Sequence, residues 1–165
     1  MSDANHDQPP SEDGPKGLGG WLLIVGLRVV LSPVGQAVGV FRIAELLRGE
    51  GAWEALSVES GSHPLARPLV AFELVASVVM LCASVYIVYL FFAKRPTFPK
   101  LFIAILIAEL AIVVLDGWLL SLIAQSGAFD ADSMKAMARA LLSCIAYIPY
   151  ILVSKRVANT FAAPS

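Results

Sequence analysis

Charge is scarce in this chain, and where it is missing says more than how much there is. Of 165 residues, 15% are Asp, Glu, Lys or Arg, against about 25% in average soluble domains. Residues 74–92 carry no charged side chain at all. A soluble four-helix bundle needs a polar stripe on every helix, so this stretch excludes one. The formal net charge of −1 leaves no basic surface for nucleic acid. Cysteine is equally sparse. Cys82 and Cys144 are the only two, each in the middle of an apolar stretch, where a thiol serves as a small apolar filler. Their spacing fits no metal motif and no disulfide framework, and no cofactor is expected.

What the chain does have is oil-soluble length. Hydrophobic residues make up 58% of it, above the roughly 45–50% of soluble domains. They gather into four stretches, 18–47, 69–93, 101–124 and 137–153. A helix needs about 20 mostly apolar residues to cross about 30 Å of hydrocarbon. The expected fold class is therefore all-α: an integral membrane four-helix bundle over 17–161, with spans near 18–44, 69–93, 101–124 and 137–154. Ahead of it, residues 1–16 form a polar tail expected to be disordered. There Asp3, Asp7, Glu12 and Asp13 outweigh Lys16. A signal peptide would start basic, so the first span is expected to be a retained anchor.

Loop charges give an orientation. Lys94-Arg-Pro-Thr-Phe-Pro-Lys100 joins the second and third spans with three basic residues and no acid, and Lys155 and Arg156 follow the fourth span. The loop from Arg48 to Arg67 balances its bases with Glu50, Glu54 and Glu59, and the last loop sets Asp130 and Asp132 against Lys135. Basic short loops stay in the cytoplasm, so both termini are expected there. Trp21 marks an interface behind a glycine-rich start, and Asp130 supplies a helix cap. Pro33, with Gly35 and Gly39 behind it, should bend the long first segment and lay residues 41–47 along the membrane surface. A short interfacial helix is expected at 53–56.

Three segments carry a family likeness. Gly19, Gly20, Trp21 and Leu22 open the first span, the basic turn 94–100 separates the second from the third, and the chain ends Tyr147-Ile-Pro-Tyr-Ile-Leu-Val-Ser-Lys-Arg-Val-Ala-Asn-Thr-Phe161. The chain resembles the bacterial family called domain of unknown function 2569, over about residues 17–161. The ending, with Tyr150, Ser154, Arg156, Val157, Thr160 and Phe161, is the most specific part. The resemblance implies a four-span protein of a bacterial inner membrane. It implies no activity, because the family has none assigned.

Inside the spans, charged residues become informative. Each costs roughly 2.5–3.5 kcal/mol at mid-span, so they should face the bundle interior. Arg28 and Glu109 lie at matching depth, about 14 Å from the inner surface by helical rise, and an ion pair between the first and third spans follows. Asp116 is two turns beyond Glu109 on the same face. Glu73 and Arg139 lie near its level, as does Arg42. A second polar layer of Glu73 and Asp116 with Arg139 or Arg42 follows. The Arg28–Glu109 pair reads either as a lock on packing or as a functional polar site. Glu73 and Asp116 read either as snorkelling groups or as two acids that share one pocket and hold a proton.

Other features have plain readings. Tyr86, Tyr89, Tyr147 and Tyr150 form an aromatic belt. Gly26, Ser77, Ala83, Ala104 and Ala108 permit close helix contact. Pro149 gives a local bend, His63 is solvated, and Lys155 and Arg156 anchor at anionic lipid, with the ending a possible docking strip. No Ser–His pairing shares a depth and no glycine-rich phosphate loop precedes a helix, so no enzyme is expected. The first expectation is a non-catalytic membrane protein in contact with the lipid bilayer and associated with itself or another membrane protein. The second is a small transporter or proton/ion pathway built on Arg28, Glu109, Asp116 and Glu73.

Overall fold

A computed structural model describes residues 20–124 and 129–161. The polar tail 1–16 lies outside the described residues. Four long helices dominate: α1 (Trp21–Leu47), α3 (Ala66–Phe92), α4 (Phe98–Ile123) and α5 (Ala131–Val153). Two short α-helices accompany them among the described residues, α2 (Ala52–Ala55) in the first loop and α6 (Lys155–Thr160) after the last span. Each long helix has the length and apolarity to cross a membrane, since 23 residues at 1.5 Å rise already cover about 35 Å. Large apolar side chains cover the outside, among them Leu23, Val79, Leu142 and Leu152. That surface is stable only where lipid replaces water. The chain is a multi-pass membrane protein with an all-α fold.

The boundaries have local causes. At the α3–α4 turn Lys94 adopts φ 50°. Its N–H donates to Phe91 O at 3.2 Å, and Arg95 N–H donates to Leu90 O at 3.0 Å. This pair of bonds closes a helix through a left-handed residue, and Pro96 stops any continuation. Pro99 then sits in the first turn of α4, where its missing N–H costs nothing. Asp130 caps α5 by accepting from Ser133 N–H at 3.1 Å. That cap starts the helix at Ala131 rather than near 137, because it recruits the polar turn ahead of the apolar run. Pro33 does not end α1, which stays helical to Leu47. The short helix expected at 53–56 forms as α2. Arg67 holds it by donating from Nε to Trp53 O at 3.0 Å, with its guanidinium 5.5 Å from the indole centroid.

The helices pack in sequence, α1 on α3, α3 on α4 and α4 on α5, while α1 and α5 do not pack along their lengths. The bundle has two unlike ends. One holds the start of α1, the α3–α4 turn and α6; it is called the terminal end. The other holds the two long connections and is called the loop end. The apolar core concentrates at the terminal end. Phe98 is fully buried, with ring centroids of Phe91 at 5.2 Å, Phe102 at 5.6 Å and Phe161 at 4.5 Å. Gly26 allows α1 to meet this cluster, because a Cβ there would come within 2.9 Å of Phe91 Cζ.

Candidate functional site: an intramembrane polar cavity

Arg28 and Glu109 meet as the sequence predicts. Arg28 Nη2 donates to Glu109 Oε2 at 2.5 Å across α1 and α4. The side chains are 29% and 17% exposed, so the pair is largely shielded and the bond is charge-assisted. The same guanidinium is not fully satisfied: its Nε is buried and has no acceptor among the described residues.

Above this pair the bundle opens. A cavity of about 400 Å³ runs from Arg28 and Glu109 toward the loop end, between α1, α3, α4 and α5. Glu73, Asp116 and Arg139 line it, together with Gln36, Ser77 and Ser143. All five residues of the expected polar site therefore share one cavity, where the sequence indicated two layers. Arg42, the alternative to Arg139, is exposed on α1 and lines none of it. Ser143 turns its hydroxyl inward to its own helix and donates to Arg139 O at 3.0 Å.

Helical rise places the upper groups on one level. Glu73 stands seven residues from the loop end of α3, Asp116 seven from that of α4, and Arg139 eight from that of α5, or about 10–12 Å in. Gly117 makes that level tight between α4 and α5, since a Cβ there would meet Phe129 Cδ1 at 2.9 Å and Ser133 Cβ at 3.3 Å. Glu73 and Asp116 face the same cavity. Asp116 Oδ1 is buried and receives no hydrogen bond from a donor among the described residues. Two carboxylates offer only acceptors, so contact between them needs a proton or another donor in between. Arg139 has no ion-pair partner among the described residues.

A second opening of about 440 Å³ lies on the other side of the ion pair. It shares Arg28, Gln36 and Glu109 with the first. Ile24, Leu27, Leu31 and Gly35 of α1 form one wall and Tyr147 of α5 the other. This is the gap left where α1 and α5 fail to pack.

The ending of the chain has a different role from the cavity. Val157 and Phe161 are buried, and Phe161 stacks on Phe98. Ser154 caps α6 by accepting from Val157 N–H at 3.4 Å. Tyr150 lies 6.4 Å from Trp21, ring to ring. Arg156 Nη1 would stand 3.4 Å from a Cβ at Gly20, and Thr160 is engaged as well. The two apolar residues of this segment are thus turned inward. Cys144 packs inside, with its Sγ 3.5 Å from Leu106 O, and Cys82 is exposed; both are free.

Sequence reasoning passed over Gln36 and Ser143. Gln36 is eight residues after Arg28, close to two turns along the same face, and an amide inside a span is itself a signal. Among the described residues no group of three or more His, Cys, Asp and Glu side chains could hold a metal ion.

The sequence model of a family described as protein of unknown function, DUF2569, matches residues 15–162. No curated protein and no solved structure matches the chain.

Proposed function

The chain belongs to the DUF2569 family, which brings no activity with it, and we propose from the site itself that the protein is a non-catalytic proton- or ion-handling protein of a bacterial inner membrane. One observation carries this reading: three carboxyls and two guanidiniums, from four helices, converge on a single cavity within the span region. Intramembrane ionisable groups are costly and mark solute paths or relays. A cavity that gathers five of them is more than packing requires. No histidine or cysteine lines it, which supports charge handling over nucleophilic chemistry. The narrow bundle favours a path completed by a second copy or by another membrane protein.

Loop charge supports a cytoplasmic terminal end. Lys94, Arg95, Lys100, Lys155 and Arg156 cluster there, while Glu50, Glu54, Glu59, Asp130 and Asp132 sit in the loop-end connections. A cysteine introduced at Ser60 should react with an impermeant reagent outside intact cells, and one at Thr97 should not. The reverse pattern refutes the orientation.

The short Arg28–Glu109 contact favours a second reading, in which the charges lock an accessory protein's fold. Glu109→Gln separates the two. Conduction requires that purified, correctly assembled variant lose pH-dependent flux in liposomes. A lock predicts poor accumulation, from a destabilisation on the order of 2–3 kcal/mol, below the roughly 3–5 of fully buried pairs. Neutralising Arg28 to Gln as well should then rescue part of it.

A further inference from the structure

The two openings adjoin at Arg28, Gln36 and Glu109, which line both. The one toward the loop end has Glu73, Asp116 and Arg139 on its walls. The other, toward the terminal end, has Ile24, Leu27 and Leu31, all exposed on the bundle surface. The apolar half is open sideways, because α1 and α5 do not pack along their lengths and a Cβ on Gly35 would meet nothing within 4 Å. A polar chamber that adjoins an apolar slot facing lipid has the shape of an amphiphile, not of a soluble ion.

Two buried atoms specify the head. Asp116 Oδ1 needs a donor and Arg28 Nε needs an acceptor. A buried polar atom left bare destabilises the fold. Helical rise separates their levels by about 10 Å, Glu109 and Asp116 being seven residues apart on α4, and a single small ion cannot span that distance. Between them Arg139 offers a guanidinium with no ion-pair partner among the described residues.

We propose that these adjoining openings bind a membrane phospholipid with a primary-amine head, which enters sideways through the gap between α1 and α5. The ammonium donates to Asp116 Oδ1 and Glu73. The phosphate meets Arg139, where a guanidinium gives charge-assisted bonds. An ester carbonyl of the glycerol region accepts from Arg28 Nε. The acyl chain lies along Ile24, Leu27 and Leu31. A choline head carries the same charge but no N–H, so it cannot satisfy Asp116 Oδ1. The inference uses the same cavity as the conduction reading and goes beyond it by naming a lipid ligand.

The test is lipid retention by the full-length protein in mild detergent, read by native mass spectrometry. Ethanolamine and choline phospholipids with identical chains are offered together, with free phosphoethanolamine in a separate arm. The ethanolamine lipid should be retained at least about tenfold over the choline lipid, or about 1.4 kcal/mol. Arg139→Gln should lower retention several-fold. Gly35→Trp should abolish it by filling the slot, while Val79→Trp, on the lipid face of α3, should not change it. Equal retention of both lipids overturns the proposal, as does free phosphoethanolamine binding as tightly as the lipid. Unchanged retention in a monodisperse Gly35→Trp protein overturns it too. If that variant does not accumulate, the wild-type comparison of heads decides. Protein that retains the lipid but passes no protons refutes conduction alone; protein that conducts without head preference refutes this proposal alone.

Discussion

At the terminal end the rings of Phe91, Phe98 and Phe161 stand 4.5 to 6.0 Å apart, and the fully buried Phe98 fills the space between them. Toward the loop end the same four helices enclose about 400 Å³ and leave a carboxylate oxygen and a guanidinium nitrogen buried without partners among the described residues. Both halves sit on helices of similar apolarity, so hydrophobicity does not account for the contrast. In lipid it cannot, because acyl chains are as apolar as leucine and separate helices gain little from burying apolar surface. Tightness has to come from shape. The terminal end has it, through three phenylalanines and the glycine that admits one of them. The other half gives up shape for polar groups, which points to a role for the space itself.

Truncation to alanine in the two halves should therefore have unequal effects, and this is the largest difference expected. Phe98→Ala removes a fully buried ring and should destabilise the protein by about 3 kcal/mol, within the usual range for such deletions. Ile112→Ala, on the wall of the cavity, takes away contacts that are already partial and should cost about 1 kcal/mol. Thermal unfolding of both variants in the same detergent checks the pair. Equal losses would mean that the cavity is packed as firmly as the aromatic cluster, and the contrast would fail.

The same distinction can be sharpened with one methyl or two. Gly26→Val drives its Cβ against Phe91 Cζ, at 2.9 Å before any relaxation. Phe91 is itself held by neighbouring rings, so the clash should cost about 1–3 kcal/mol. Gly35→Ala meets open space and reduces backbone freedom in the unfolded chain. It should be neutral or stabilising by up to about 1 kcal/mol. Melting temperatures that move together in these two variants would contradict the placement of tight and open regions on α1.

How much of this was legible beforehand divides along the same line. Four spans and the Arg28–Glu109 pair followed from helical rise and the cost of charge in lipid, both one-dimensional arguments. Asp130 as a cap and the short helix beside Trp53 followed from local chemistry. The single cavity did not follow. Depth along each helix places Glu73, Asp116 and Arg139 on a level, but only the rotation and spacing of four helices decide that they share a space with Arg28. Arg42 fits the same level and faces outward. The inward turn of the ending did not follow either, because depth along a helix says nothing of how α6 turns back and stacks Phe161 on Phe98.

The smallest effect expected lies at the cap of α5, where the open half is anchored. The hydrogen bond from Ser133 N–H to the Asp130 side chain holds that carboxyl below its ordinary value of about 3.8. A group whose value is depressed on folding adds stability that is fully present above the unfolded value and is lost as pH falls through the folded one. Lowering the pH through the aspartate range should therefore loosen the start of α5 by a slight amount. Asp130→Asn keeps a capping oxygen and removes the titration. Its acid limb should be shallower than that of the wild type, with little change at neutral pH. Amide exchange at the first turn of α5 reads this locally, with the turn of α3–α4 as the internal reference. If acid loosened both turns alike, the effect would belong to the whole fold and the cap would have no separate part in holding the polar half together.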